Sequence, residues 1–165
     1  MNAIELMQQI IKTQVPDNRW SGAPLGQFRQ IENTNRGRVG EEFVRRYLKQ
    51  FGIDAQPIAK SRLGVDLAIG DLRFEVKTAS EDTKGGFQFN HVRYDREYDY
   101  LLCLGVQPDG LVFGCWSKEE LATQQPGKLV RMAEGQSVTF KLRRRPEQLL
   151  PIHHLPTTLR SLLET

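Results

Sequence analysis

An α/β fold, with a central mixed β-sheet flanked by helices, is what this sequence predicts, and three stretches predict it. Residues 36–52 carry apolar side chains at helical spacing, and 64–79 read as two alternating strands about a Gly-Asp turn. Residues 99–106 (DYLLCLGV) form an unbroken apolar run, the pattern of a strand buried on both faces. The elements follow in the order helix, hairpin, strand, strand, helix, hairpin. A chain of 165 residues, 39% hydrophobic and 26% charged, is one domain's worth of sequence with material for a core. Net charge is only +3, so a case for a polyanionic partner rests on where the charges lie.

Residues 2–13 (NAIELMQQIIKT) place Ile4, Met7, Ile10 and Ile11 on one side of a helix, a stripe that predicts core packing. From 15 to 35 the periodicity dissolves. That stretch carries Arg19, Trp20, Phe28 and Arg29, and a basic-aromatic loop suits nucleic acid as well as it suits wrapping over the core.

The helix over 36–52 (RGRVGEEFVRRYLKQFG) has Gly37 and Gly40 at its entrance and Gly52 as its stop. Its apolar stripe is Val44, Tyr47, Leu48 and Phe51. Glu41 falls on that inward face, where a carboxylate is costly without a partner, although the start of a helix favours acidic residues in any case. Glu42 lines up outside with Arg45, Arg46 and Lys49. Arg36 and Arg38 make the entrance basic, and the link over 53–62 brings Lys60 and Arg62 to the mouth of the hairpin. Phosphate contacts and a plain solvated face are both open for these cations.

With Gly70-Asp71 as the turn, Ile69 faces Leu72, Leu67 faces Phe74 and Val65 faces Val76, so one face of the hairpin is wholly apolar. The other face sets Asp66 directly opposite Glu75, with Lys77 two residues along. Two carboxylates about 5 Å apart across a strand pair repel one another. A hard divalent cation between them, its shell completed by water and phosphate, turns that repulsion into binding. Lys77 beside it is placed to orient and deprotonate a water or to offset phosphate charge. The alternative is a solvated polar face, common on half-exposed hairpins.

Residues 80–86 are polar and glycine-rich, a loop by composition. Gln88, Asn90, His91 and Arg93 follow, interleaved with Phe87 and Phe89; the amides suit adenine edges or phosphate oxygens, and Gln88 also suits holding a water or the lysine. A lone His91 is more simply structural. After 99–106 come a turn, a second strand LVFGCW, and a helix KEELAT capped by Ser117 with Glu120 in the capping-box position. Cys103 and Cys115 read as buried thiols, and no CxxC or Cys/His cluster suggests zinc. Residues 128–132 and 137–142 read as a hairpin around 133–136, closed by Lys141, Arg143, Arg144 and Arg145, a second candidate phosphate surface or a solvated run. Leu155, Leu159, Leu162 and Leu163 predict a short terminal helix whose apolar face packs on this domain or a partner. Neither a Ser/His/Asp constellation nor a GxxxxGK[ST] loop competes with the hairpin. With no leader and no apolar run of about 18 residues, the expectation is a cytoplasmic protein without a membrane partner.

Asp66 followed by Glu75-Val76-Lys77 resembles the D…(D/E)xK signature of the PD-(D/E)xK nuclease superfamily, which includes many restriction endonucleases; Val65 stands where the signature has proline. Glu41 matches the glutamate that archaeal-type Holliday junction resolvases and many restriction enzymes carry on the preceding helix, with Glu42 as the fallback. FQFNHVR and YDYLLCLGV are similar to segments that follow the ExK strand in restriction-enzyme-like members. The resemblance covers roughly 36–121. It implies a restriction-endonuclease-like core and hydrolysis of DNA phosphodiester bonds with Mg2+, for which Mn2+ may substitute. Asp66 and Glu75 are the implied metal ligands, Lys77 positions the water, and Glu41 completes or supports the site. Gln88, Asn90, Arg93, Arg143 and Arg144 are the candidate DNA or water contacts.

On this reading 1–165 is one nuclease domain, with an N-terminal helix and loop over 1–35, a catalytic core over 36–121 and a C-terminal hairpin and helix over 122–165. The expected role is a type II restriction endonuclease or its cleavage subunit, the small subunit of heterodimeric type IIS enzymes included. A junction or repair nuclease of the same fold and a non-catalytic DNA-binding subunit are the alternatives. One chain holds one set of Asp66, Glu75 and Lys77, so the expected partners besides DNA are a second copy or a larger recognition subunit.

Overall fold

The structure, a computed structural model, describes residues 1–14, 17–59, 65–132 and 138–165. The expected positions of Lys60, Arg62, Gly64, the 133–136 hairpin tip and Ser137 lie outside these residues. The chain runs through α1 (Ala3–Thr13), α2 (Asn33–Lys49), β1 (Ala55–Pro57), β2 (Leu67–Ile69), β3 (Leu72–Ser80), β4 (Phe87–Val92) and β5 (Tyr100–Val106). It continues through β6 (Leu111–Ser117), α3 (Lys118–Ala122), β7 (Leu129–Arg131), β8 (Phe140–Arg144), β9 (Leu150–Pro151) and α4 (Leu155–Leu163).

The centre is a six-stranded mixed sheet in the order β1-β2-β3-β5-β6-β9, parallel at β3–β5 and antiparallel elsewhere. The expected α/β class with a mixed central sheet is what the chain adopts. On one face Leu102, Leu104, Val106, Phe74 and Val76 pack with Val44 and Leu48 of α2 and Leu155 and Leu159 of α4. On the other, Leu101 and Cys103 pack with Phe87, Phe89, Leu142 and Leu121. Strand β5 is therefore buried on both sides, which is why its sequence shows no polar alternation. The second face is covered by α3 and by a small antiparallel sheet, β4-β8-β7.

Local chemistry explains the boundaries. Gly70 takes φ +58 in the hairpin turn, and Gly52 takes φ +76 beyond α2, where Ile53 N–H returns to Leu48 C=O at 3.1 Å. The predicted capping box on α3 is present, Glu120 N–H donating to Ser117 Oγ at 3.1 Å and Ser117 N–H to Glu120 Oε1 at 3.2 Å. Trp20 and Phe28 are buried in the core beside α2, so the 15–35 stretch wraps the fold where it is described. Arg19 fastens it to Glu81 at 2.9 Å.

Three expectations are corrected. The apolar stripe of α1 packs on nothing: none of its residues is buried, and Ile4, Met7, Ile10 and Ile11 are 48–72% exposed. Its own Asn2–Glu5 capping box holds its start, with both bonds at 2.9 Å. Second, α2 begins at Asn33, so Gly37 and Gly40 lie inside it. Third, the hairpin keeps the expected register only from Leu67↔Phe74 to Ile69↔Leu72. At Asp66 it slips: the Asp66 N–H donates to Phe74 C=O at 3.0 Å, so Asp66 and Leu67 share one partner residue, a bulge. The alternation flips there, and Val65 packs on the β4 side of the sheet while Val76 packs on the α2 side.

Candidate active site

Strand β3 spans nine residues and β2 only three, so pairing with β2 stops at Phe74 and the rest of β3 has an open edge. A cleft of about 920 Å³ opens along it, lined by the start of α2, by Asp66 and Glu75 to Ser80, and by β4 and the turn beyond it. Asp66 continues the interrupted ladder with its side chain: Oδ2 accepts the Val76 N–H at 2.7 Å. Asp66 and Glu75 are thus brought together at the bulge, though not as a register pair.

Glu75 is only 6% exposed. Its Oε1 meets Lys77 Nζ at 2.9 Å, while Oε2 is buried with no hydrogen-bond partner among the described residues. Burial raises the Glu75 carboxyl above its ordinary range; Lys77 pulls the other way and the Asp66 carboxylate adds to the rise. Asp66 is raised by burial as well, against the Val76 N–H and Lys77. Two carboxyls that the fold holds protonated more readily than water does, one with an orphaned oxygen, form an oxygen-donor pair that suits a hard divalent cation retaining several waters. Among the described residues no three His, Cys, Asp or Glu side chains gather as metal ligands, so two protein ligands is what the cleft offers.

Glu41 also lines the cleft, and the reason is Gly40. A Cβ at Gly40 would lie 1.9 Å from Thr78 Oγ1, so only glycine lets α2 settle on β3 this closely and bring the next residue to the site. Glu42, the fallback, is held outside by Arg45 at 2.8 Å and Arg46 at 2.6 Å, which lower its carboxyl to about 2.

Across the cleft stand Gln88, Asn90, His91 and Arg93. Gln88 Nε2 donates to Asn90 Oδ1 at 3.0 Å, and Arg93 is tied to Asp95 by two bonds of 2.8 and 2.5 Å. The β4–β8 register shifts between Phe89 and Val92, with His91 at φ +58. Arg143 and Arg144, expected as one basic surface, do not line the cleft and do not share a face. Neighbours on β8 point to opposite sides of the sheet: Arg143 is exposed and bonded to Asp82 at 2.7 Å, while Arg144 is half-buried with its Nε unpartnered. Sequence reasoning missed Arg96, whose charge offsets that of Glu75, and Asn33 and Thr34 at the start of α2; Arg36, weighed there as a phosphate contact, lines the cleft beside them. The Asn-Thr-Asn that opens the basic helix was the available signal for Asn33 and Thr34; Arg96 had none. Cys103 is a fully buried thiol as expected, and burial pushes Cys115 up to about 12.

The layered arrangement is an α/β fold, a mixed central sheet with helices packed on it. Among solved structures it is similar to a bacterial homing endonuclease, I-Ssp6803I, with a TM-score of 0.52 and 12% sequence identity over 82% of this chain and 99% of that one. At that identity the likeness is one of fold. No family model and no curated protein matches the sequence. Among the described residues, no helix is long and apolar enough to cross a membrane.

Proposed function

We propose that this chain is a divalent-metal-dependent DNA endonuclease of the PD-(D/E)xK kind, with Asp66 and Glu75 as metal ligands, Lys77 at the attacking water and Glu41 in support. The observation that carries the reading is the buried, unpartnered Oε2 of Glu75 beside Asp66 and Lys77 on an open strand edge. A solvated polar face does not account for such an atom: a carboxylate oxygen buried without a partner costs about 1–3 kcal/mol or more, which a bound cation would offset. The endonuclease fold of the structural relative supports the same class of reaction.

Magnesium held there, or manganese in its place, would supply Lewis-acid polarisation of the phosphate and a more acidic bound water. Lys77, fixed by Glu75 Oε1, orients the nucleophile and offsets charge developing on the phosphate. Glu41 lines the same cleft from α2 and supports the site by holding water there, outside the pair of metal ligands. The cleft's open edge leaves β3 accessible to a nucleic-acid strand. The biological role we assign is that of a type II restriction endonuclease or its cleavage subunit. With one set of these residues per chain, a double-strand break takes two protomers, two successive turnovers or a partner subunit with its own site.

Incubating the purified chain with supercoiled plasmid and Mg2+, against a chelator control, tests the reading. Nicked or linear product is expected from the wild type, and a loss of roughly 100-fold or more from Glu75→Gln. No cleavage of plasmid or single-stranded DNA with either Mg2+ or Mn2+, or an undiminished Glu75→Gln, would overturn it.

A further inference from the structure

We infer that the outward face of the β4-β8-β7 sheet reads duplex DNA from the major groove, so that the chain carries its own recognition surface beside the cleft. The inference rests on the endonuclease reading of that cleft and adds the mode of recognition.

The three strands turn Phe87, Phe89, Leu129 and Leu142 into the core. Their alternate positions turn outward: Gln88, Asn90, Val130 and Arg143 are exposed, and Lys141 is half-buried. Gln88 faces Arg143 and Val130 faces Lys141 across the strands, so amides and cations form one continuous surface. The three strands contain no aspartate or glutamate, and the outward face carries the cations Lys141 and Arg143. Asp82 touches this face, holding Arg143 at 2.7 Å from a neighbouring loop. That pair is solvent-exposed on both sides, and a phosphate oxygen can take the place of Asp82.

The chemistry fits a base-reading surface more closely than a solvated one. Glutamine and asparagine match the paired acceptor and donor of adenine in the major groove, and Gln88 and Asn90 are already held to each other at 3.0 Å. Paired strands lie about 5 Å apart and the major groove of B-DNA is about 12 Å wide, so the β4–β8 pair enters it as a ribbon. The major groove of A-form RNA is too narrow to admit side chains, which favours DNA. Continuity with the cleft is the second, independent argument. Gln88, Asn90 and His91 line the same cleft as Asp66 and Glu75, and the β4–β8 register shifts at His91, φ +58. A duplex seated on the sheet therefore runs directly to the carboxylates.

Cleavage of a randomised duplex library and binding across a salt series test this with the full chain. Lys141→Ala with Arg143→Ala is expected to weaken binding about tenfold and to reduce the slope of log affinity against log salt by about 2. Gln88→Ala with Asn90→Ala is expected to flatten the preference among library sequences, read as the ratio of cleavage between the best and the median sequence, whatever happens to the overall rate. Replacing purines by their 7-deaza forms, which needs no altered protein, is expected to weaken wild-type binding. If the wild type cuts DNA while both double variants select and bind as it does, or while 7-deaza duplex binds equally well, recognition lies elsewhere and this inference falls alone. A wild type that neither binds nor cuts any DNA removes the endonuclease reading and this one together.

Discussion

Strands β3 and β4 face each other across the cleft and hold their polar residues on opposite terms. On β3, Glu75 is buried, its carboxyl raised, and one oxygen is left without a partner. On β4, Gln88 and Asn90 are exposed and bonded to each other, and Arg143 beside them is paired in solvent. One wall keeps charge where the fold must work against it; the other keeps polarity where water costs it nothing. The difference separates the places where chemistry and contact are to be sought. A reacting group needs a perturbed environment, and a binding group needs only to be reachable.

The largest expected effect breaks the comparison at its centre. Lys77→Ala is expected to lower the cleavage rate by roughly 1,000-fold, the range for a positioned acid-base or charge-stabilising group, while DNA affinity changes by less than about threefold. Single-turnover cleavage and a binding titration measure both. A rate within tenfold of wild type would place the chemistry elsewhere.

Gly40→Ala probes how β3 is held. A methyl group there meets Thr78 Oγ1 at 1.9 Å and forces α2 away from the strand. The expected cost is about 1–3 kcal/mol of stability, with a matching loss of activity as Glu41 withdraws. Adding Thr78→Ala is expected to recover part of both, because it removes the hydroxyl at 1.9 Å and the methyl at 3.0 Å and leaves Thr78 Cβ at 2.9 Å. Equal melting curves for wild type and Gly40→Ala would show that α2 has slack.

The smallest effect has the opposite sign. Burial raises the folded-state pKa of Asp66 above its unfolded value, so the metal-free folded chain holds a proton that the unfolded chain releases. The stability from that proton is present below about pH 4 and is lost as pH rises from there through the raised value. Asp66→Asn is expected to raise Tm by about 2–4 °C in chelator at pH 7, with the gain vanishing below about pH 4, and to blunt the stabilisation by Mg2+. Thermal melts across that range measure it. A lower Tm at pH 7 would mean that the bond to Val76 N–H outweighs the cost of burial.

How far the sequence told this story differs from element to element. The hairpin was legible because a two-residue turn at Gly70-Asp71 fixes every facing pair by counting, and Leu67, Ile69, Leu72 and Phe74 fall as counted. The slip at Asp66 was not, since a bulge is chosen by what packs on either side of the sheet. Helices α1 and α4 make the same point from another direction. Both carry a leucine- or isoleucine-rich stripe at helical spacing, yet Leu155 and Leu159 are fully buried while Ile4 and Ile11 stand in solvent. Periodicity reveals that a helix has an apolar face, not that anything covers it. The β7–β8 hairpin was expected, but its third strand escaped for a related reason: nothing local in 87–92 announces a partner at 140–144. Glu41, Asp66, Glu75 and Lys77 were found by pattern, and the structure gathers them at one cleft; Arg96 came there through tertiary packing alone.

The bulge at Asp66 gives the first strand of the hairpin something like a reading frame. Leu67 and Ile69 are in one phase with the sheet, and Val65 is in the other. Shortening the strand by one residue at Leu67 would restore a single phase with Val65 still on the β4 side, and would turn Asp66 into the place of Leu67 on the α2 side, off the position where its carboxylate meets Val76 N–H. Lengthening the turn at Gly70-Asp71 by two residues would leave both phases intact. In this short strand, therefore, the spacing between residues is inherited information as much as their identity, and a signature read only as letters in order omits the count that makes the letters meet.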